Sequence, residues 1–401
     1  MSRRVIKSPL LGRAEKALVQ LERYLKKVNY RGWDPHDALL SPFLFSLAKK
    51  SRVLAILFTQ LIKKSPVNLR PLLRIPWQFN PKANALFLRG YLYKYQLWKK
   101  QEDWKQAEAL ASWLLENASV SGPGAGWGYP FPWANRSFFA PAGLPNIVVT
   151  SFVGHSLLDF YKQSKNEAFL QKAVDASEFV SQGLNRTGHD KSFCFSYTPL
   201  DHACIHNANM LGASLLSRVG ALLADDRYLS LSRQAMSFSL ERQNKNGSWF
   251  YGEGKRLRWV DSFHSGYSLA ALAIYLDSNP LKEAIAAYEA GVSYYLKTFF
   301  LLQGWVKFTD RSLYPLDAHA FAQAIISLSS LPQLSKEVDL LMKVTESFLD
   351  IFWLKKGYFA YQRQKWGIIS IPYLRWVQAW AFLSLGSFLL YNNCLTERDQ
   401  C

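Results

Sequence analysis

The sequence predicts an all-α protein whose helices form an (α/α)6 toroid, a closed ring of six helical hairpins. A unit of helix, aromatic loop and helix recurs roughly every 55 residues, and a period of this length indicates one repeated supersecondary unit. In each unit the first helix carries charges between its apolar positions, whereas the second is nearly apolar after its first turn. This asymmetry predicts that the first helices lie outside and the second helices inside.

Five such units follow one another between about residues 106 and 395. Their outer helices are predicted at residues 107–116, 169–184, 228–243, 281–300 and 338–353, and their inner helices begin near residues 146, 206, 261, 317 and 373. Glycine and aromatic residues separate the two helices, as in Gly247-Ser-Trp249. A sixth unit can be assembled from the first hundred residues, where 81–100 is typical of an inner helix. An open solenoid of helical hairpins is the alternative architecture.

Charge divides the chain near residue 105. The first 105 residues contain 22 Lys and Arg against 6 Asp and Glu, whereas the rest contains 26 against 24, so most of the net charge of +18 lies in the first quarter. We expect residues 1–105 to form a basic helical part that completes the toroid, and residues 106–401 to form five hairpins. With 401 residues, 49% of them hydrophobic, the chain can bury one large core.

The basic first quarter suits an anionic partner. Basic clusters flank the apolar run at residues 53–62, a pattern typical of a helix that docks on an anionic membrane surface, although a solvated basic face is the alternative. No nucleic-acid partner is expected, because no binding motif is present. The start, Met1-Ser-Arg-Arg, lacks an apolar signal region, and no apolar run is long enough to span a bilayer. We expect a cytoplasmic protein, with a peripheral position on the inner membrane face left open.

The chemistry is expected where the inner helices begin, because their first turns and the preceding loops would face one cavity. The catalytic candidates at these places are His206, Tyr251, Glu253, Asp261, His264 and Asp317. The substrate-binding candidates are Trp127, Tyr129, Trp133, Arg136, Asn207, Tyr267, His319, Trp366 and Arg375. Aromatic rings interleaved with charges and amides suit a sugar, whose ring faces stack while its hydroxyls need hydrogen bonds.

Asp261 and His264 are three residues apart and therefore share one face of a helix, where the carboxylate can orient the imidazole. The alternative for Asp261 and Asp317 is N-capping, because acids before an apolar helix accept hydrogen bonds from free backbone amides. The alternative for each histidine is a buried, hydrogen-bonded structural role. The four cysteines show no metal-ligand spacing, and we expect neither a metal nor a cofactor.

Several motifs resemble the toroid proteins encoded among bacterial polysaccharide-biosynthesis genes: Gly126-Trp-Gly-Tyr-Pro130, Trp133-Ala-Asn-Arg136, Leu144-Pro-Asn-Ile-Val-Val-Thr150, His206-Asn-Ala-Asn-Met-Leu-Gly-Ala213, Gly247-Ser-Trp-Phe-Tyr-Gly252 and Trp259-Val-Asp-Ser-Phe-His-Ser-Gly-Tyr267. The resemblance implies a fold shared with six-hairpin glycosidases, polysaccharide lyases and glucuronyl C5-epimerases, and a carbohydrate substrate. A weaker resemblance to squalene-cyclase-like toroids rests on Gln243-x3-Gly247-x-Trp249, but the Asp-x-Asp-Asp proton donor of those enzymes is missing.

Three functions remain open at this point. The first is an epimerase or lyase that moves the proton next to a uronate carboxylate, with Tyr251, His264 and Tyr267 exchanging the proton and Arg136 or Arg375 holding the carboxylate. The second is a glycoside hydrolase, which needs two carboxyl groups across the scissile bond, from Asp261 with Asp317 or Glu253. The third is a carbohydrate-binding or scaffold protein without turnover. The separation of the carboxyl groups across the cavity discriminates among them.

Overall fold

Six inner and six outer helices form the body of the protein in the computed structural model, which describes residues 9–49, 51–120, 122–134 and 139–398. The outer helices are α1 (Pro9–Lys27), α5 (Gln101–Glu116), α7 (Glu167–Gln182), α9 (Asp226–Leu240), α11 (Lys282–Phe299) and α13 (Val338–Phe352). The inner helices are α4 (Pro81–Trp98), α6 (Ile147–Ser164), α8 (His206–Leu223), α10 (Ser262–Leu276), α12 (Ala318–Ser330) and α14 (Ala379–Arg398), the last preceded by a π-helical turn at Leu374–Gln378.

The ring of inner helices is closed. Each inner helix packs against the next, and the last, α14, packs against the first, α4. The outer helix α1 completes the outer layer by packing against α13 and α14. The predicted all-α (α/α)6 toroid is therefore confirmed, and the open solenoid is wrong because the two ends of the chain meet.

Burial separates the two layers as the sequence predicted. The inner helix α8 buries 14 of its 18 residues, whereas the outer helix α9 buries only 6 of its 15. A helix that is apolar around its whole circumference must be covered on all sides, whereas a helix with one apolar stripe can face water. The distribution of charged residues along each hairpin therefore decides which helix is central.

The loop after an outer helix approaches the backbone of the next outer helix at a glycine. Gly247 and Gly304 both have positive φ, at 90° and 82°. A Cβ at Gly247 would lie 2.3 Å from the carbonyl oxygen of Ala290 in α11, and one at Gly304 would lie 2.4 Å from the backbone of Lys343 in α13. Only glycine fits both the conformation and the contact, which explains why glycine recurs in these loops.

The loops contain seven short strands among the described residues. They are β1 (Trp133–Ala134), β2 (Phe139–Ala140), β3 (Arg186–His189), β4 (Ser192–Phe195), β5 (Leu316–Asp317), β6 (Gln362–Gln364) and β7 (Gly367–Ile369). The pairs β1–β2 and β3–β4 are antiparallel hairpins, and β5, β6 and β7 form a three-stranded antiparallel sheet. The sheet connects the start of α12 with the loop that leads to α14.

An insertion separates α1 from α4. It consists of a 3-10 turn (Asp37–Leu40), α2 (Pro42–Ala48) and α3 (Arg52–Lys64), and α3 packs against β1 beside the opening of the toroid. The boundary expected near residue 105 lies within α5, and the division of the chain there stays a prediction. No helix in the described part of the chain combines the length and the apolarity that crossing a membrane requires.

Candidate functional site

A cavity of about 280 Å³ opens where the inner helices begin. The inner helices bring their first turns together at this end, and the aromatic loops form the walls. The lining residues are His36, Lys63, Lys82, Tyr129, Phe131, Trp133, Val148, Tyr197, Asn207, Tyr251, Trp259, Asp261, Phe263, His264, Tyr267, Phe308, Thr309, His319, Arg375 and Trp376. They include nine of the predicted site residues.

Asp261 and His264 form a dyad on the wall of the cavity. One carboxylate oxygen, Oδ1, accepts a hydrogen bond from the backbone N–H of His264 at 2.8 Å, so Asp261 is the N-cap of α10. The other, Oδ2, lies 2.6 Å from His264 Nδ1. Because a carboxylate oxygen accepts hydrogen bonds, Nδ1 carries a hydrogen, and in the neutral tautomer of the ring the lone pair lies on Nε2. Capping and pairing with histidine are thus both properties of the same carboxylate.

A second polar cluster lies deeper in the cavity. The Tyr267 hydroxyl is hydrogen-bonded to His319 Nε2 and lies 3.4 Å from Lys82 Nζ. The Lys82 amine lies over the rings of Phe152, at 4.1 Å, and Tyr267, at 4.8 Å. Burial, with Arg375 nearby, holds the pKa of Lys82 well below its ordinary range. An anion bound beside the amine would oppose this shift and favour the charged form.

A third cluster contains Arg375, Asp34, His36 and Lys63. The guanidinium of Arg375 binds Asp34 through two hydrogen bonds of 2.6 and 2.8 Å and lies 4.7 Å from the centre of the Tyr129 ring. His36 Nε2 lies 3.2 Å from Lys63 Nζ. Burial and the charge of Lys63 lower the pKa of His36 to about 3, so His36 is neutral at physiological pH.

The two lysines of the cavity feel the buried carboxylates Asp34 and Asp317 only at longer range, Lys63 both of them and Lys82 Asp34. Neither Lys63 nor Lys82 forms an ion pair with any residue that the structure describes, and Lys82 is 2% exposed. Burial lowers the pKa of Lys63 to about 8. A buried amine without a direct ion pair costs stability, and an anion that binds beside it offsets this cost.

Aromatic rings form the remaining walls. Tyr251 and Trp259 pack edge to face with ring centroids 4.0 Å apart, and Trp133 packs against Tyr197 at 5.3 Å. The amide oxygen of Asn207 is buried and has no hydrogen-bond partner among the described residues. Rings that stack and an amide that is free to bind a hydroxyl suit a sugar ring.

Several predicted site residues lie elsewhere. His206 is turned away from the cavity, because Nδ1 lies 3.3 Å from Ser239 Oγ and Nε2 lies 3.1 Å from Glu253 Oε1. Glu253 is therefore engaged by His206 outside the cavity lining. Asp317 is fully buried behind Trp376, where it caps α12 and accepts a 2.6 Å hydrogen bond from Gln362.

The remaining three candidates also lie outside the lining. Trp127 is a core residue whose Nε1 donates to the Leu114 carbonyl, and Trp366 is 64% exposed in the turn between β6 and β7. Arg136 lies outside the described residues. The sequence prediction missed His36, Lys63, Lys82 and Trp376, which the fold brings to the cavity from the insertion and the first and last inner helices.

A lysine at the start of an apolar inner helix was the available signal for Lys82. It lies in the first turn of α4, directly after Asn80 and Pro81. No such signal exists for Lys63, because it belongs to the insertion, whose position the repeat does not specify. Within the described residues, no group of three or more His, Cys, Asp or Glu side chains could hold a metal ion.

Comparison with known proteins identifies the fold. No family model and no curated protein matches the sequence. Among solved structures, an unsaturated glucuronyl hydrolase specific for heparin matches with a TM-score of 0.63 at 11% identity, covering 96% of this chain and 98% of that chain. A cellobiose 2-epimerase from Spirochaeta thermophila matches with a TM-score of 0.60 at 10% identity, covering 79% and 87%.

A polysaccharide lyase matches with a TM-score of 0.54 at 12% identity, covering 78% of this chain and 90% of that chain. The expected kinship in fold with six-hairpin toroids is therefore confirmed. At 10–12% identity these similarities show the fold alone. The three matched proteins are named as a hydrolase, an epimerase and a lyase, so the shared fold does not specify one reaction.

Proposed function

We propose that the protein is a carbohydrate-active enzyme that binds an acidic sugar in the cavity and moves the proton next to the sugar carboxylate, as an epimerase or lyase. The observation that carries this proposal is the charge of the cavity. Its only lining carboxylate among the described residues, Asp261, is committed to His264, whereas neither Lys63 nor Lys82 forms an ion pair with a described residue. A uronate carboxylate bound beside the two amines favours their charged forms and supplies the ion pair that neither forms within the chain.

The dyad is suited to proton abstraction. Asp261 fixes the tautomer of His264 and stabilises the imidazolium that forms when Nε2 takes a proton from the substrate. As negative charge develops on the carboxylate during abstraction, a fixed cation stabilises it most. Arg375 is such a cation, because Asp34 holds it rigidly by two hydrogen bonds.

A second group must return or deliver a proton. Tyr267 lies one turn after His264 on α10 and is hydrogen-bonded to His319, so both groups approach the sugar from the same helix. If His264 removes a proton and Tyr267 delivers one from the same side of the sugar ring, the arrangement suits elimination by a lyase. Tyr129, on a separate loop and 3.3 Å from the Tyr197 hydroxyl, is the candidate for delivery from another side, which epimerisation needs.

A glycoside hydrolase with two carboxyl groups fits less well. Such an enzyme needs carboxyl groups about 5 to 10 Å apart on the two sides of the scissile bond. The two predicted partners of Asp261 do not line the cavity, because Asp317 lies behind Trp376 and Glu253 binds His206. A terpenoid cyclase also fits poorly, since two lysines and one arginine line the cavity.

The biological setting that we propose rests on the sequence motifs. Their resemblance to toroid proteins of bacterial polysaccharide-biosynthesis genes points to the assembly or tailoring of a cell-surface or exported glycan. A cytoplasmic position, at or near the membrane where lipid-linked sugars are assembled, accords with this role. A scaffold protein that binds the same glycan without turnover is the alternative.

The test is incubation with a panel of uronic-acid and neutral oligosaccharides in deuterated water. An epimerase incorporates deuterium next to the carboxylate without cleaving the chain, whereas a lyase cleaves it and forms an unsaturated sugar with ultraviolet absorbance. Asp261→Asn serves as the inactive control. Cleavage of neutral oligosaccharides alone would contradict the proposal, and binding without exchange or cleavage would assign the protein to the scaffold class.

A further inference from the structure

The insertion carries a concentration of exposed apolar side chains. Of the 21 large apolar side chains that the described residues expose, nine lie between Phe43 and Trp77. On α3, Val53 is 73% exposed, Leu57 is 47% exposed and Leu61 is 59% exposed. These three residues, together with Phe43 and Leu47 on α2, are called here the apolar face.

The apolar face is not explained by packing within the chain. The opposite side of α3 buries Ala55, Thr59 and Ile62, so the helix already has a core-facing side. Residues 53, 57 and 61 are spaced by four and therefore form one stripe along the helix. Because α2 packs against α3, both helices bring exposed apolar side chains to the same part of the surface. An apolar stripe of this kind marks a contact with something outside the chain.

The charges of the insertion identify the partner of the apolar face. Residues 38–80 contain seven Lys and Arg and no Asp or Glu, and Lys49, Arg52, Lys64 and Arg74 are exposed. Lys49 is exposed at the end of α2, and the Arg74 guanidinium lies 5.7 Å from the centre of the Phe43 ring. An apolar stripe edged by cations is the pattern of an interfacial helix, which inserts its apolar side chains between lipids while the cations bind anionic headgroups.

We propose that α2 and α3 dock on the surface of an anionic lipid membrane through the apolar face. Docking there sets the cavity beside the bilayer. A groove of about 560 Å³ runs between α3 and the loop that contains Arg256, and it shares His36, Lys63 and Trp133 with the cavity. A sugar held at the membrane surface can therefore reach the dyad through a groove lined by Lys63, Lys64 and Arg256.

Vesicle co-sedimentation of the full chain tests the proposal. Wild-type protein is expected to bind vesicles of phosphatidylcholine with phosphatidylglycerol, and to bind phosphatidylcholine vesicles at least tenfold more weakly. Leu57→Glu with Leu61→Glu is expected to reduce binding to the anionic vesicles at least tenfold. Lys49→Gln with Arg74→Gln is expected to reduce it about 25-fold, since each basic residue near an anionic leaflet contributes about fivefold.

The matched control is Leu222→Glu with Leu302→Glu, which makes the same change at exposed leucines outside the insertion. This pair should bind anionic vesicles like the wild type. Both leucine pairs should keep the wild-type melting temperature, because all four side chains are solvent-exposed. Absence of wild-type binding to anionic vesicles, or equal loss in the two leucine pairs, overturns the proposal.

A second copy of the chain is the competing occupant of the apolar face. Sedimentation equilibrium, which measures the oligomeric state, decides between membrane docking and self-association. A wild-type dimer that Leu57→Glu with Leu61→Glu dissociates, in a protein that does not bind vesicles, overturns the proposal in favour of self-association. At 1 M salt the screening length falls to about 3 Å, so charge attraction is largely removed. Wild-type binding that persists there shows that the apolar side chains insert into the membrane. Complete loss of wild-type binding at this salt concentration overturns insertion.

Discussion

The helices α10 and α12 both begin with an aspartate as N-cap, but the two aspartates have different surroundings. Asp261 and Asp317 both accept hydrogen bonds from backbone amides of the first helical turn. Asp261 also binds the ring of His264 and lines the cavity, whereas Asp317 binds Gln362 and Trp376 and is fully buried. Equivalent positions in a repeat therefore share a structural role, while the neighbouring loops decide whether the residue can also perform chemistry.

The largest expected effect comes from exchanging each aspartate for asparagine. Asp261→Asn should lower turnover by two or more orders of magnitude, because asparagine can still cap the helix but cannot stabilise the His264 imidazolium. Asp317→Asn should change turnover less than about threefold. Steady-state kinetics and melting curves of both variants provide the measurement. Equal loss of turnover in the two variants would erase the distinction between the two helix starts.

The distinction also shows which parts of the site could be predicted. The repeat identified the inner helices and their first turns, so Asp261, His264, Tyr267, His319 and Arg375, which line the cavity, could be selected from the sequence. The same logic selected His206 and Asp317, whose side chains lie outside the cavity lining because they bind Ser239 and Gln362, which are distant in sequence.

The basic side of the cavity was harder to predict. Lys63 reaches it from the insertion, and no repeat specifies where an insertion folds. Asp34 determines the orientation of Arg375 from 341 positions away in the chain. Contacts of this kind arise only when the ring closes, because closure brings the first and last inner helices together.

Lys82 tests whether a buried cavity residue contributes to catalysis at the expense of stability. Lys82→Met preserves the side-chain length while removing an unpaired buried amine, and it should raise the free energy of unfolding at pH 7 by about 1 to 2 kcal/mol. Turnover should fall at least tenfold, because the amine contacts Tyr267. Chemical denaturation and kinetics measure the two effects. A variant that is less stable and fully active would identify Lys82 as a structural residue.

The smallest effect is the pH dependence of Asp317. Burial raises its pKa from the ordinary 3.8 to about 6. The proton is therefore bound more tightly in the folded protein, so the contribution of Asp317 to stability is complete below pH 4 and is lost as the pH rises through 6.

Asp317→Asn removes this dependence. The melting temperature of the variant relative to wild type should therefore be higher at pH 7 than at pH 4. Differential scanning calorimetry at the two pH values measures this change, and Asp261→Asn is the control at the equivalent cap. If the melting-temperature difference between Asp317→Asn and wild type were the same at both pH values, or reversed, ionisation of the Asp317 carboxyl group would not lower the stability of the folded protein.

The central claim is that the cavity selects an acidic sugar, and calorimetric titration of the Asp261→Asn protein tests it most directly. The ligands are uronate oligosaccharides and the same oligosaccharides after reduction of their carboxyl groups. We expect the acidic forms to bind at least tenfold more tightly, and we expect Lys63→Met, introduced into the same protein, to remove most of that preference. Equal affinity for the acidic and reduced forms would contradict the claim.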